Sequence, residues 1–191
     1  GKYKPARALL NQVIESFEKS RGGENPDAVS ALRESAALEF AQKHYGRAAE
    51  LYRRVFETDL RVFGAASART RFDLNDLGST AFARHRLREA EELLIRAMTN
   101  EKTGDARDSI GNLAQVYQVE KRYDEAAALY RGAIGELERS GRAQDSRLGS
   151  ILASYASLLR ATGDYAQAEK LQACATALRV RGVLAREGHA S

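Results

Sequence analysis

A helical pattern that recurs five times along the chain constrains the fold more than any other feature of the sequence. Each copy opens with an aromatic residue or Leu, followed by Ala three positions later, a mostly apolar pair at positions six and seven, and a small apolar residue at position ten. Successive copies begin 42, 42, 36 and 42 residues apart, which is the self-similarity of a repeat architecture. The copies begin at Tyr3, Tyr45, Leu87, Tyr123 and Tyr165.

Each copy marks the start of an amphipathic helix, because its apolar residues fall at helical spacing with Arg, Glu and Lys between them. A further apolar helical segment precedes each of the last four copies, so the sequence predicts four helix pairs after one leading helix. Asn25-Pro26 indicates a helix start, with a capping side chain followed by Pro at the first helical position. Glycine tolerates the left-handed backbone that often ends a helix, and the second helices are predicted to end at Gly22, Gly64, Gly104 and Gly141.

Small residues recur at the places where the two helices of a hairpin would approach each other. A side chain that is nearly absent lets two helix backbones come close, while the large residues beside it fill the groove. The predicted clearance positions are Ala36, Gly78, Ala114 and Ala156 in the first helices, and Ala48, Ala90, Ala126 and Ala168 in the second helices.

The segment 110–134, IGNLAQVYQVEKRYDEAAALYRGAI, resembles the tetratricopeptide repeat (TPR) family, and the resemblance extends over residues 3–180. The usual repeat of that family has about 34 residues, whereas the 42-residue step is similar to the long-helix variety found in kinesin light chains. The resemblance implies an all-α fold: a right-handed α-solenoid (superhelix) of antiparallel helix hairpins, with about four full repeats plus one leading helix. Ser35 and Glu39 stand where the family prefers Leu and an aromatic residue, which marks the first full repeat as divergent.

The repeats predict a single TPR-like solenoid domain over residues 1–191. The apolar face of the leading helix would lack a partner helix. Either the natural protein continues upstream, or a homodimer contact covers this uncapped end. The predicted segments are a half repeat 3–22, the repeats 26–64, 68–104, 106–141 and 145–182, and a tail 187–191.

The composition argues against an enzyme. The chain has one Cys and three His, and it contains no Gly-rich phosphate loop, HExxH, CxxC or nucleophile-elbow motif. We therefore predict no catalytic residue, no metal site and no cofactor. Cys174 lies among alanines of the last helix and is expected to be a small buried residue rather than a reactive thiol.

The resemblance implies a binding surface instead. In such solenoids the first helix of each hairpin lines a concave groove, so residues facing away from the partner helix are candidates for contacting a protein or peptide. Phenylalanines there would be apolar anchors, unless the next repeat buries them, and amides and arginines would hydrogen-bond a peptide. The predicted groove residues are Arg33, Phe40, Phe72, Asn75, Asp76, Ser79, Phe82, Asp108, Asn112, Gln115, Gln118 and Arg160, with Ala37, Gly111, Ser150 and Ser157 beside them.

We expect a non-enzymatic scaffold that binds a peptide or helical segment of a protein in this groove. The alternative is a regulatory TPR segment of a larger multidomain signalling protein or enzyme. Asp76 and Asp108 argue against the carboxylate clamp that some TPR proteins use, because these acidic residues stand where the clamp needs Asn and Lys.

Basic clusters at the predicted hairpin loops suggest a third function. Lys43-His44, Arg84-His85-Arg86 and Lys121-Arg122 would form a basic edge for nucleic acid. Cations are also favoured at helix C-termini by the macrodipole, and the net charge is only +4, so nucleic acid is the less favoured partner.

No apolar run approaches the about 20 residues of a membrane helix. With no signal peptide visible, we expect a cytoplasmic protein without a membrane partner.

Overall fold

The chain is helical over almost its whole described length. A computed structural model describes residues 12, 15, 26–98, 107–139 and 146–187. The described residues from 26 onwards form eight helices and contain no strand, which confirms the predicted helix pairs. The helices are α1 Pro26–Ala41, α2 Tyr45–Phe63, α3 Ala68–Ala83, α4 Leu87–Met98, α5 Arg107–Val119, α6 Tyr123–Arg139, α7 Ser146–Thr162 and α8 Tyr165–Glu187.

The predicted leading half repeat, 3–22, falls mostly outside the described residues, and only its Gln12 and Glu15 are described, both as helical. Gly22, Gly104, Gly141 and residues 188–191 of the predicted tail also lie outside them. Within the described residues, α1 begins at Pro26 as predicted.

The helices belong to two compact units, residues 1–100 and 101–191, and the division falls inside the predicted repeat 68–104. In the first unit α1 packs on α2, α2 on α3, and α3 on α4. In the second unit α5 packs on α6, α6 on α7, and α7 on α8, and α5 also contacts α7. Each unit is therefore a pair of antiparallel hairpins in which the second helix of one hairpin packs on the first helix of the next.

The hairpin cores are built around the predicted small residues. The seven alanines at the clearance positions are completely buried, with 0% of their surface exposed, and Gly78 is buried beside them. Tyr52, Leu94 and Tyr130 are the large buried residues of the second helices. The alternation of absent and bulky side chains therefore fills the space between paired helices, as expected of ridges packed into grooves.

All four hairpins turn through a left-handed residue two positions before the repeat signature. The φ angle is +62° at Lys43, +58° at His85, +61° at Lys121 and +91° at Gly163. Each of these residues donates its N–H to the carbonyl three positions earlier, and the following residue donates to the carbonyl five positions earlier. This is the Schellman arrangement, which satisfies the last carbonyls of the first helix.

The residue after each left-handed position also opens the second helix. The carbonyl of His44 accepts the N–H of Ala48 at 3.0 Å, and that of Asp164 accepts the N–H of Ala168 at 3.1 Å. Arg86 and Arg122 do the same in the other two hairpins. The turns are tight because a single residue closes one helix and begins the next.

The connection between the first two hairpins uses conventional end signals. Gly64 ends α2 with a φ angle of +79°, as predicted, and its N–H bonds to the carbonyl of Leu60 at 3.0 Å. Ser67 caps α3 by accepting the N–H of Arg69 at 3.2 Å, and the Thr70 hydroxyl donates to the Gly64 carbonyl at 2.8 Å. The connection between α2 and α3 is therefore held by local hydrogen bonds as well as by helix packing.

Glu39 departs from the repeat pattern, and one prediction about the last helix fails. Glu39 is only 4% exposed although it is a carboxylate, and the Nδ1 atom of His44 lies 2.7 Å from its Oε2 atom. The prediction that Cys174 is buried is wrong, because the thiol is exposed. The buried line of α8 runs through Ala168 and Ala175, two turns apart, and Cys174 lies off that line.

Candidate binding surfaces on the first helices

A continuous stripe of α3 is accessible in the first unit, and it consists of the residues that the sequence predicted. Between Phe72 and Phe82 the accessible residues are separated by buried ones at helical spacing, since the intervening side chains face α2 and α4. We call this surface the α3 stripe; its members are Phe72, Asn75, Asp76, Ser79 and Phe82.

The α3 stripe has aromatic ends and a polar middle. Phe72 is 50% exposed and Phe82 is half-buried. The Ser79 hydroxyl donates to the Asn75 carbonyl of the same helix at 2.9 Å, so it is engaged within α3. Asp76 is half-buried and acts on the neighbouring Tyr52 of α2.

Burial and, to a smaller extent, the negative charge of Asp76 raise the pKa of Tyr52 to about 12, against the opposing positive charge of Arg33. The Tyr52 hydroxyl therefore lies within the electrostatic reach of both predicted groove residues. At neutral pH it is a neutral donor at the base of this surface.

Arg33 faces the same region from α1, but it is held by two acidic side chains. One Nη atom donates to Oδ2 of Asp59 in α2 at 2.9 Å, and the other donates to Oδ1 of Asp73 in α3. The arginine side chain remains 31% exposed. Arg33 thus links three successive helices, a role that the sequence did not predict.

Phe40 contributes to packing. It is half-buried against the core cluster that contains Ala36 and Tyr52, and its ring meets the ring of Tyr45 edge-on at 5.2 Å between centroids. Of the three predicted phenylalanine anchors, Phe72 is the most exposed one.

The first helix of the second unit carries a similar stripe. The accessible residues of α5 between 111 and 118 are Gly111, Asn112, Gln115 and Gln118, and Gln115 is exposed. The Gln118 amide donates to the Tyr130 hydroxyl of α6 at 3.5 Å. The predicted side chain of Asp108 lies outside the residues whose side chains are described.

Tyrosines of α6 and α7 form the base of this second surface. The rings of Tyr130 and Tyr155 stack with 5.6 Å between their centroids, and Arg131 donates to the Tyr155 hydroxyl at 3.3 Å. Burial raises the pKa of Tyr130, and hydrogen bonds with Gln118 and Ser154 oppose the shift. The base of the α5 surface is therefore aromatic and neutral.

The stripe of α7 is made of serines and one arginine. Ser150, Ser157 and Arg160 are exposed, as the sequence predicted. Ser154 is exposed on the same stripe and was missed, although the 150, 154, 157 spacing is helical. α7 contains no acidic residue, so its surface differs in charge from that of the α3 stripe.

The basic loop residues are partly neutralised. Arg122 pairs with Glu125 at 2.7 Å and with Glu120 at 2.8 Å, and Arg86 pairs with Glu89 at 3.2 Å. Arg122 also covers the Tyr117 ring, 4.0 Å from its centroid. These contacts are structural explanations for the basic residues at the turns and weaken the argument for nucleic acid.

In the described part of the chain, no group of three or more His, Cys, Asp or Glu side chains could hold a metal ion. Among the helices described, none has the length and apolarity required to cross a bilayer.

The hairpins, their clearance residues and their common turn define a TPR-like all-α solenoid, and solved structures agree with this fold. TPR-like repeats from Podosopora anserina, assigned to a kinesin light chain, are similar with a TM-score of 0.78 and 20% identity, covering 95% of this chain and 89% of that chain. BtubC (BKLC) from P. vanneervenii has a TM-score of 0.75 and 17% identity, covering 95% of this chain and 74% of that chain.

A third solved structure, YrrB, is described as a TPR protein with an unusual peptide-binding site. It is similar with a TM-score of 0.53 and 16% identity, covering 87% of this chain and 74% of that chain. Neither a family sequence model nor a curated protein sequence matches the chain. The predicted fold class is thus confirmed by structural likeness.

Proposed function

We propose that the protein is a non-enzymatic scaffold that binds a segment of another protein on the first helices of its hairpins. The observation that carries this proposal is the α3 stripe, in which two phenylalanines flank a row of polar side chains on one accessible helix face. Apolar anchors around hydrogen-bonding groups are the usual composition of a peptide-binding surface.

The chemistry of the stripe suits a peptide with an apolar side chain and free backbone amide groups. Phe72 offers half of its surface to such a side chain. Asn75 carries an amide that can donate and accept hydrogen bonds. The second unit has a surface of its own, with the amides of Gln115 and Gln118 on α5 and the exposed positive charge of Arg160 on α7. The likeness to YrrB, a TPR protein with a peptide-binding site, supports this class of partner.

The experiment is a selection of binding peptides from a displayed random library, followed by affinity measurements on the variants of the chain. The test variant is Phe72→Ala with Phe82→Ala. The matched control is Tyr165→Ala, which removes an exposed aromatic ring (65% exposed) from a second helix in the other unit. Circular dichroism verifies that both variants keep their helical content.

We expect the test variant to bind selected peptides at least about tenfold more weakly, since a buried anchor contributes more than about 1 kcal/mol. The control should bind as the parent does. Equal binding by the parent and the test variant would reject the α3 stripe as the binding surface, and failure to select any peptide would count against peptide binding as such.

A further inference from the structure

The contact between the first two hairpins contains an unbalanced group of charges. We call the side chains of Arg33, Asp59 and Asp73 the latch, because they come from α1, α2 and α3 in turn. The two acidic side chains are 2% and 0% exposed, respectively. One guanidinium therefore faces two carboxyl groups that have almost no access to water.

The single positive charge of Arg33 cannot fully compensate the two carboxyl groups while both are ionised. The guanidinium occupies Oδ1 of Asp73, whereas Oδ2 of Asp73 is buried and has no hydrogen-bond partner among the described residues. A buried carboxylate oxygen without a donor is costly, and two like charges in contact raise the cost. A hydrogen placed between the two carboxyl groups would supply the missing donor.

We propose that the latch is a proton-binding site: a proton taken up on Asp73 bonds it to Asp59 and tightens the contact of the first hairpin with the second. The proton comes from water and forms an O–H bond on the orphaned oxygen, which then donates to the Asp59 carboxylate. Arg33 remains charged, so the protonated latch is neutral overall.

The electrostatics of Asp73 agree with this assignment. The pKa of Asp73 is raised from 3.8 to about 6. Burial is the largest cause, the charge and hydrogen bond of Arg33 oppose the rise, and those of Asp59 add to it. Arg33 from α1 and Asp59 from α2 are the described charged groups that act on it. Asp76 lies one turn away on α3 and acts on Tyr52.

The sign of the pH effect follows from the direction of that shift. A carboxyl group whose pKa is higher in the folded than in the unfolded chain stabilises the fold when protonated. The stabilisation is fully present below pH 3.8 and is lost as the pH rises through about 6. The latch therefore strengthens on acidification, whereas ion pairs with a lowered carboxyl pKa weaken.

The test compares the parent chain with Asp73→Asn, which carries a neutral donor at the same place. Urea unfolding is followed by circular dichroism at pH 5, 6, 7 and 8. The matched control is Glu57→Gln, which neutralises an exposed carboxylate on α2 two residues from Asp59. We expect the unfolding equilibrium constant of the parent, relative to Asp73→Asn, to rise about tenfold between pH 5 and pH 8. The pH profile of the Glu57→Gln control should remain parallel to that of the parent.

Parallel pH profiles for the parent and Asp73→Asn would overturn the proposal. A second measurement keeps it testable if that variant does not fold: the side-chain carboxyl ¹³C resonance of Asp73 is followed by NMR in the parent chain through the same pH range. A midpoint near 6 supports the latch, and a midpoint near 4 refutes it.

Discussion

Gly78 of α3 lies so close to Leu94 of α4 that a Cβ atom on the glycine would be 2.7 Å from the leucine Cγ atom. Leu94 is completely buried and cannot swing into solvent. The repeat places Ala at the equivalent positions 36, 114 and 156, whereas the hairpin of α3 and α4 leaves no room for that methyl group.

Replacing Gly78 by Ala should therefore destabilise the chain, although Ala is the better helix former. Overpacking costs about 1–3 kcal/mol and the gain in helix propensity offsets up to about 1 kcal/mol of it. The matched control is Gly132→Ala in α6, where an added Cβ meets no atom within 4 Å. This variant should be more stable by about 0.5–1 kcal/mol. Urea unfolding measures the stability of both variants. Equal effects of Gly78→Ala and Gly132→Ala would contradict the close approach of Gly78 to Leu94.

Exchanging Lys and Gly between the equivalent turn positions of two hairpins should have opposite effects on stability. Lys121 and Gly163 occupy the same turn position with φ angles of +61° and +91°, but only glycine adopts this conformation without a Cβ penalty. Lys121→Gly should stabilise the chain by about 0.5–1 kcal/mol and Gly163→Lys should destabilise it by a similar amount. The control is Lys170→Gly, inside α8, which should destabilise. Thermal melting measures all three, and a loss of stability in Lys121→Gly would contradict the turn assignment.

The helices and their contact residues were predictable because the information is local. The spacing of Ala48, Tyr52 and Val55 within one helix determines which face is buried, and the same spacing recurs in each copy. The α3 stripe follows from the same geometry, because the residues that do not face a partner helix are the accessible ones.

The latch was not predictable because its members are distant in sequence. Arg33 is 26 residues from Asp59 and 40 from Asp73, and no periodicity relates them. The turn residues were missed for a different reason. Lys43, His85 and Lys121 adopt a conformation that composition assigns to glycine, and the hydrogen bonds that close the preceding helix require it.

The pair formed by the buried Glu39 and the half-exposed His44 replaces an apolar contact of the other hairpins. The equivalent residues of Glu39 are Ala81, Tyr117 and Leu159, and Schellman turns usually carry a hydrophobic contact here. We expect His44→Ala to cost about 1 kcal/mol, because it removes one hydrogen-bond partner of a carboxylate that is 5% exposed. Glu39→Leu should be neutral or stabilising.

The double variant with His44→Ala and Glu39→Leu separates the interaction of these two residues from the other effects of each change. On the Glu39→Leu background, His44→Ala should cost less than about 0.5 kcal/mol, since no buried carboxylate is left to compensate. Chemical unfolding of the four chains gives the coupling free energy. Additive effects would mean that the 2.7 Å contact contributes nothing to stability.

Tyr52 should make the fold sensitive to alkali. Its pKa is about 12 in the folded chain and about 10 in the unfolded chain, so ionisation favours unfolding as the pH rises above 10. The loss of stability from this group is about 1 kcal/mol by pH 11. Tyr52→Phe should lack that loss, whereas Tyr165→Phe, at an exposed tyrosine, should follow the parent. Urea unfolding at pH 9, 10 and 11 measures the slopes. Because the charge of Asp76 raises the pKa of Tyr52, Asp76→Asn should make the alkaline loss of stability smaller. An unchanged profile in that variant would refute the electrostatic influence of the α3 stripe on Tyr52.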